Sequence, residues 1–435
     1  VFRSLDRAYL ALFREYPSLL RLAIITGAAQ MAFALLNVYA LPVYLNRDLH
    51  VRGLAIGAVM ATFLFCETAL KFPLGRLSDR WGRKPFVVLG PLLLCLNPII
   101  VVRLPARLWS LVFPVRVVDG IGAAALWPPL FALVGDLVKD RSRAAAMSVL
   151  NTVYVGAIGA AAALGSFTAY LTGGNRSLFY LASAFLFVSG LTAYFGLPRG
   201  RGHGFAAAVP KPSGPSPGLG QRAAEVTLHR AEGAINGAPT EGTWSQVTTP
   251  PYPLSLILLI SLLMTLGVLS LANFLILYVQ VELRLSALHT GLLLLALSVP
   301  VLLFGLPLGH LADRWGTARA VRVSFAICAL AMWAIPSCRT SLTFAGVGLL
   351  LVAGHILGIP AWLALVSSLA PPSRRGGLMG IVATAEGIGA GLGPLIGGWL
   401  WDWRHSYIFY GSAVLLTLGA LVALCTLRGE RRAGA

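Results

Sequence analysis

The chain has 435 residues, of which 57% are hydrophobic and only 11% charged, with a formal net charge of +18. A soluble domain carries about 25% charged residues, so this composition excludes a chain whose whole surface meets water. Most of its solvent is lipid, and its charge has to be read by position.

Residues 1–21 place Arg3, Arg7, Arg14 and Arg21 among Leu, Phe and Tyr, which predicts a short amphipathic helix lying on the inner leaflet. No short apolar run with a small-residue cleavage site stands there, so no removable leader is expected. Apolar runs of about 20 residues, long enough to cross a hydrocarbon core about 30 Å thick, then follow one another. They predict spans at 22–45, 54–74, 85–103, 108–136, 145–171 and 177–197, and again at 254–280, 289–311, 319–336, 342–369, 378–400 and 405–427. Residues 198–253 between the two sets are rich in Gly, Pro, Ala and Ser without apolar periodicity, which reads as a flexible cytoplasmic linker. The domains expected are thus an N-terminal six-helix bundle over 22–197, a C-terminal one over 254–427 and a cytoplasmic tail over 428–435.

With both termini placed in the cytoplasm, 24 of the 34 Lys and Arg fall on the inner side and 8 outside, leaving Lys71 and Arg116 within spans. That bias is what the positive-inside rule requires. The basicity therefore reports topology and contact with anionic lipid, and no aromatic-interleaved basic module points to nucleic acid. Cys66, Cys95, Cys328, Cys338 and Cys425 have neither metal-ligand nor disulfide spacing and read as small core residues. No metal or cofactor is expected.

An internal repeat organises the chain. Pro73-Leu-Gly-Arg-Leu-Ser-Asp-Arg-Trp-Gly82 returns as Pro307-Leu-Gly-His-Leu-Ala-Asp-Arg-Trp-Gly316, identical at eight of ten positions and 234 residues on. Both copies follow the second span of a six-span half. Paired halves of this kind build many secondary transporters, with the solute site between them near the midplane. The fold class expected is an all-α polytopic membrane protein of twelve helices in two pseudo-symmetric six-helix bundles.

Gly75-Arg-Leu-Ser-Asp79-Arg80-Trp-Gly82-Arg83-Lys84 resembles the signature loop of the major facilitator superfamily at essentially every position, and the resemblance covers nearly all of the chain outside the linker. It implies a conformational latch: Asp79 at the positive N-terminal end of span 11, and Arg83 paired with Asp136 at the end of span 4. The alternative is that these charges only stop spans and set topology. In the second copy, Gly309, Asp313 and Arg314 remain, but Thr317 and Ala318 replace the basic pair, so a weaker latch is expected. Gly389, Gly393, Pro394 and Gly397 in span 11 put small residues four apart, a pattern for close helix packing. In drug–proton exchangers of the family the corresponding pattern lies in span 5. Here span 5 keeps Gly156, Gly159 and Gly165 but has no proline.

Ionisable groups in hydrocarbon are costly and need a reason. Arg116 and Asp119, three apart on span 4, share a face and can pair. Glu67 and Lys71, four apart on span 2, can do the same, whereas Glu386 has no local partner in span 11. Asp119, Glu386 and Glu67 are therefore the candidates for proton coupling, against the reading that they only pair or pack. Candidate lining residues of a solute cavity are Gln30, Asn37, Arg116, Asn273, Gln280, His355 and Trp362. Interhelical hydrogen bonding and core packing explain the uncharged ones equally well.

The expectation is a monomeric secondary transporter of the plasma (inner) membrane, coupled to protons and exporting small amphipathic compounds. Import of a small organic anion by proton symport, with Arg116 as anchor, is the alternative. A sensor signalling through residues 198–253 is a third reading. The chain is not expected to be an enzyme, since its seven His form no close pair and it has no clustered nucleophiles.

Overall fold

The computed structural model describes residues 13, 15–138, 140–197, 252–369 and 375–427, without the side chains of 140–145, 148, 301–314 and 375–377. The segment expected to form the linker lies outside the described residues except for its last two positions, and the tail lies wholly outside them. The described chain is helical. The first set is α1 (Pro17–Asp48), α2 (Gly53–Trp81), α3 (Arg83–Arg103), α4 (Ala106–Leu137), α5 (Asp140–Thr172) and α6 (Ser177–Gly196). The second is α7 (Leu254–Val281), α8 (Ala287–Trp315), α9 (Thr317–Ser337), α10 (Ser341–Ser368), α11 (Arg375–Trp403) and α12 (Tyr407–Thr426). Eleven are long and apolar enough to cross a bilayer among the described residues, and α8 adds a shorter apolar stretch over Ala287–Pro300.

Helix α1 starts at Pro17, five residues before the expected span. Proline suits the first turn of a helix, where its missing N–H costs nothing, and Leu19 and Leu22 are already buried. Much of what reads as the end of a surface helix is thus the first turn of a span. Two helices are irregular at matching places. Helix α1 widens to π-geometry over Leu35–Ala40 and again over Tyr44–Asp48. Helix α7 breaks at Asn273 and Phe274, between Leu254–Ala272 and Leu275–Val281.

Both copies of the repeated motif end in the same backbone conformation. Gly82 has φ 97° and Gly316 φ 87°, in the left-handed region that L side chains avoid. At Gly316 an added Cβ would meet nothing within 4 Å, so the backbone angle, not crowding, asks for glycine there.

The two sets of helices meet along α2 with α11 and α5 with α8. Glycine makes the first contact possible. A Cβ on Gly57 would lie 2.1 Å from the Pro394 carbonyl oxygen, and one on Gly398 would lie 2.1 Å from that of Gly53. On its other flank α11 packs on α7: a Cβ on Gly397 would stand 2.0 Å from the Ser270 carbonyl, and Gly389 and Gly393 lie against Leu262, Thr265 and Leu269.

Candidate functional site

A buried polar cluster occupies the interior of the first six helices. Arg116 and Asp119 of α4 lie one helical turn apart, and the guanidinium donates to the Asp119 carboxylate at 2.7 Å. Arg116 also donates to the Asn37 side-chain oxygen on α1, and its guanidinium lies 4.4 Å from the centre of the Phe63 ring on α2. On the other side, the Asn97 amide of α3 donates to Asp119 at 2.7 Å. Arg116 is 1% exposed and Asp119 3%. One donor of this group, the Arg116 Nε–H, has no partner among the described residues.

Glu67 is buried beside this cluster, within electrostatic reach of Arg116, and pairs with Lys71 at 3.0 Å. Tyr154 of α5 lies next to Gln30 of α1 and also senses Glu67. Helices α2 and α4 come this close because position 120 is glycine, where a Cβ would fall 2.5 Å from Cys66 Cβ. The structure thus brings Arg116, Asp119, Glu67, Asn37 and Gln30 into one region. Sequence reasoning passed over Asn97, Phe63 and Tyr154. Asn97 was open to detection, as an amide inside an otherwise apolar run.

The candidates on the second six do not join that cluster. Trp362 is 2% exposed, its indole N–H lies beside the Glu386 carboxyl, and it makes no well-formed hydrogen bond to any described residue. No ion pair involves Glu386 among the described residues. Asn273 is buried at the break in α7. His355 faces a cavity confined to the second six. Gln280 spans the two sets, its amide donating to the Tyr39 hydroxyl at 2.9 Å.

That bond belongs to a closure at the end of the molecule away from the signature loop. Arg47 donates to the Gln280 backbone carbonyl at 2.8 Å, while the Asp402 carboxylate of α11 accepts from the Gly53 and Leu54 amides at 2.6 and 2.9 Å. The last contact caps the N-terminus of α2 with a carboxylate from the opposite half, where the helix dipole favours negative charge. Nearby, His405 and Glu282 approach to 2.5 Å within the second six. Crossing contacts continue down α2 as far as Thr68, which lies against Gly387.

Beyond Thr68 the signature-loop end of α2 carries several exposed side chains, although Ser78 is buried. Phe72 and Trp81 are 67% and 70% exposed, and the Asp79 side chain 60%. Arg83 pairs with Asp136 at 2.6 Å and with Asp79 at 3.2 Å, all within the first six. The family pattern implied Asp79 against the start of α11. Asp79 accepts from Arg83 of its own loop, and the side chains at the start of α11 lie outside the described residues. In the second copy Gly309, Asp313 and Arg314 sit on α8, and their side chains lie outside the described residues.

An alternating-access carrier closes one end at a time, and the contacts of Tyr39, Arg47 and Asp402 across the halves form such a closure. A profile of the Major Facilitator Superfamily matches residues 22–299 and again 257–434. The chain belongs to the Major Facilitator Superfamily. It is accordingly a secondary transporter of the membrane and not an enzyme. Multidrug resistance protein 1 of Bacillus subtilis (strain 168) is 22% identical over 384 residues, covering 88% of this chain and 90% of that protein. Inner membrane transport protein YajR of Escherichia coli (strain K12) is 24% identical over 405 residues, 88% of this chain and 76% of YajR. Among solved structures, a D-xylose-proton symporter superposes with a TM-score of 0.70 at 14% identity, over 96% of this chain and 99% of that one. That likeness speaks for the fold alone.

Proposed function

We propose that the chain is a proton-coupled transporter of small organic compounds, in which the Arg116–Asp119 pair links proton to solute. The supporting observation is the pairing of a guanidinium wholly withdrawn from lipid and water with a carboxylate shared with Asn97. Protonating Asp119 removes the charge that balances Arg116. A buried cation without a counter-ion is costly, and an anionic solute restores the balance. Proton and anion then favour each other's binding, the thermodynamic signature of symport. Import of a small organic anion is the direction that this pair favours.

In this reading 22–197 and 254–427 act as two bundles joined by 198–253, in a monomer of the plasma membrane. The signature-loop end is cytoplasmic and open, with Gly75, Asp79, Arg80, Gly82, Arg83 and Asp136 as the latch of the opposite state. A second reading, proton-driven export of amphipathic or cationic compounds, draws on Glu386, an acid without a cationic partner, and on relatives named for multidrug resistance. Solute uptake against efflux in right-side-out and inverted vesicles separates the two.

The coupling itself is tested by Asp119→Asn. We expect gradient-driven transport to fall at least about tenfold, the equivalent of 1.4 kcal/mol, while solute exchange at equal pH persists. Glu386→Gln should do less. Full gradient-driven transport by Asp119→Asn removes Asp119 from the coupling path and moves it to Glu386, then to Glu67.

A further inference from the structure

The second six helices form a half-open pocket of about 230 Å³ that the transport reading leaves unused. It is walled by α7, α9, α10 and α12, and no described residue of the first six lines it. Val268, Phe325, Met332 and Leu416 are typical of its walls. Of its few polar groups two are engaged, the Ser324 hydroxyl donating to the Gly354 carbonyl at 2.8 Å and the Cys328 thiol turned to Leu351. The third, His355, lines the cavity with no hydrogen bond to any described residue. A neutral imidazole offers one donor and one acceptor, and leaving both unmet in an apolar surround is unfavourable.

Size and chemistry together define an occupant. An apolar cavity of about 150 Å³ holds a benzene ring. The larger space here suits two fused rings, and His355 supplies one polar contact. We propose that this cavity is a binding site for a small, neutral, bicyclic aromatic compound carrying one hydrogen-bonding group for the His355 imidazole. The cavity lies within one half and shares no residue with the Arg116 cluster. It does touch the gate. Leu271, Ala272 and Leu275 line it on either side of the break in α7, and Gln280 of the closed end lies on the same helix. An occupant stiffens that break and holds α7 in the shape that closes the far end.

The test uses indole as probe and the chain's own methionines as reporters. Two of the six, Met264 and Met332, line the cavity, while Met31, Met60, Met147 and Met379 do not. Spectra of the purified full-length chain with ¹³C-methyl methionine should show saturable shifts at Met264 and Met332 alone. His355→Leu should weaken binding about fivefold, the share of one hydrogen bond. Val268→Phe, which fills the space, should abolish the shifts, and Val352→Phe repeats the test from α10. Absence of saturable shifts in the wild-type chain, or equal shifts at all six methionines, overturns the site without recourse to any variant. Unchanged affinity in His355→Leu removes the imidazole contact. Asp119→Asn should bind indole normally, so failure here and failure of the coupling reading are told apart.

Discussion

Replacing Gly57 tests whether the α2–α11 crossing holds one end of the transporter shut. A Cβ at this position would stand 2.1 Å from the Pro394 carbonyl oxygen and 2.8 Å from its carbon, both backbone atoms of a packed helix. Neither can swing aside as a flexible side chain would, so Gly57→Ala must push the helices apart. Overpacking of this kind costs about 1–3 kcal/mol. The cost falls only on the state in which the crossing is closed, so populations shift by about five- to 150-fold toward the state open at that end. Spin labels on Cys at Arg107 and Arg339 report on it, in a background without the five native cysteines. Both are exposed at the closed end, Arg107 in the first turn of α4 and Arg339 in the loop before α10. The inter-label distance should lengthen in Gly57→Ala, and further in Gly57→Leu. If both variants keep the wild-type distance distribution and transport rate, the crossing is no gate and the glycines serve packing alone.

Three further expectations follow from the same geometry. Asp402→Ala removes an acceptor from two α2 amides across the halves, a cap worth about 1 kcal/mol, and the same label pair should show a smaller opening than Gly57→Ala. Asp79→Asn should leave the purified protein monodisperse yet cut transport at least about tenfold. Its partner in this state is an exposed ion pair that contributes little to folding, so a normally active variant would leave the motif as a topological relic. For orientation, Ser213→Cys should escape a membrane-impermeant thiol reagent in intact cells while Arg47→Cys reacts; the reverse pattern would overturn the charge-bias argument.

The spans and the repeat were legible because lipid imposes length and composition on each helix separately. The Arg116–Asp119 pair was legible for a related reason: two residues three apart on one helix share a face whatever surrounds them. Contacts between helices follow no such local rule. Gln280 read as a polar group lining a cavity, but its partner is Tyr39, which depends on the register of α7 against α1. Asp402 drew no notice at the end of a span, and its role depends on where the first turn of α2 lies. Asn97 joined the cluster only when α3 was placed beside α4. The same limit hid the cavity around His355, whose walls come from four helices, each with an ordinary apolar pattern.

The placement of charge bears on how such a carrier couples its two events. Arg116, Asp119, Asn37, Asn97, Glu67 and Lys71 all lie on α1–α4, and among the described residues none of their hydrogen bonds or ion pairs crosses to the second six. A rocking motion that parts the halves therefore leaves the cluster intact. What it breaks are the Gln280–Tyr39, Arg47–Gln280 and Asp402–Gly53 bonds and the glycine crossings, each a modest net contribution near water. Gating and charge neutralisation are thus physically separate. Motion leaves the partners of Asp119 in place, so a solute or a proton arriving at the cluster is what changes its charge balance. On the proposed reading, coupling passes through occupancy of the cluster, so neutralising Asp119 should uncouple transport from the gradient without stopping exchange, and loosening Gly57 should change rates without uncoupling them.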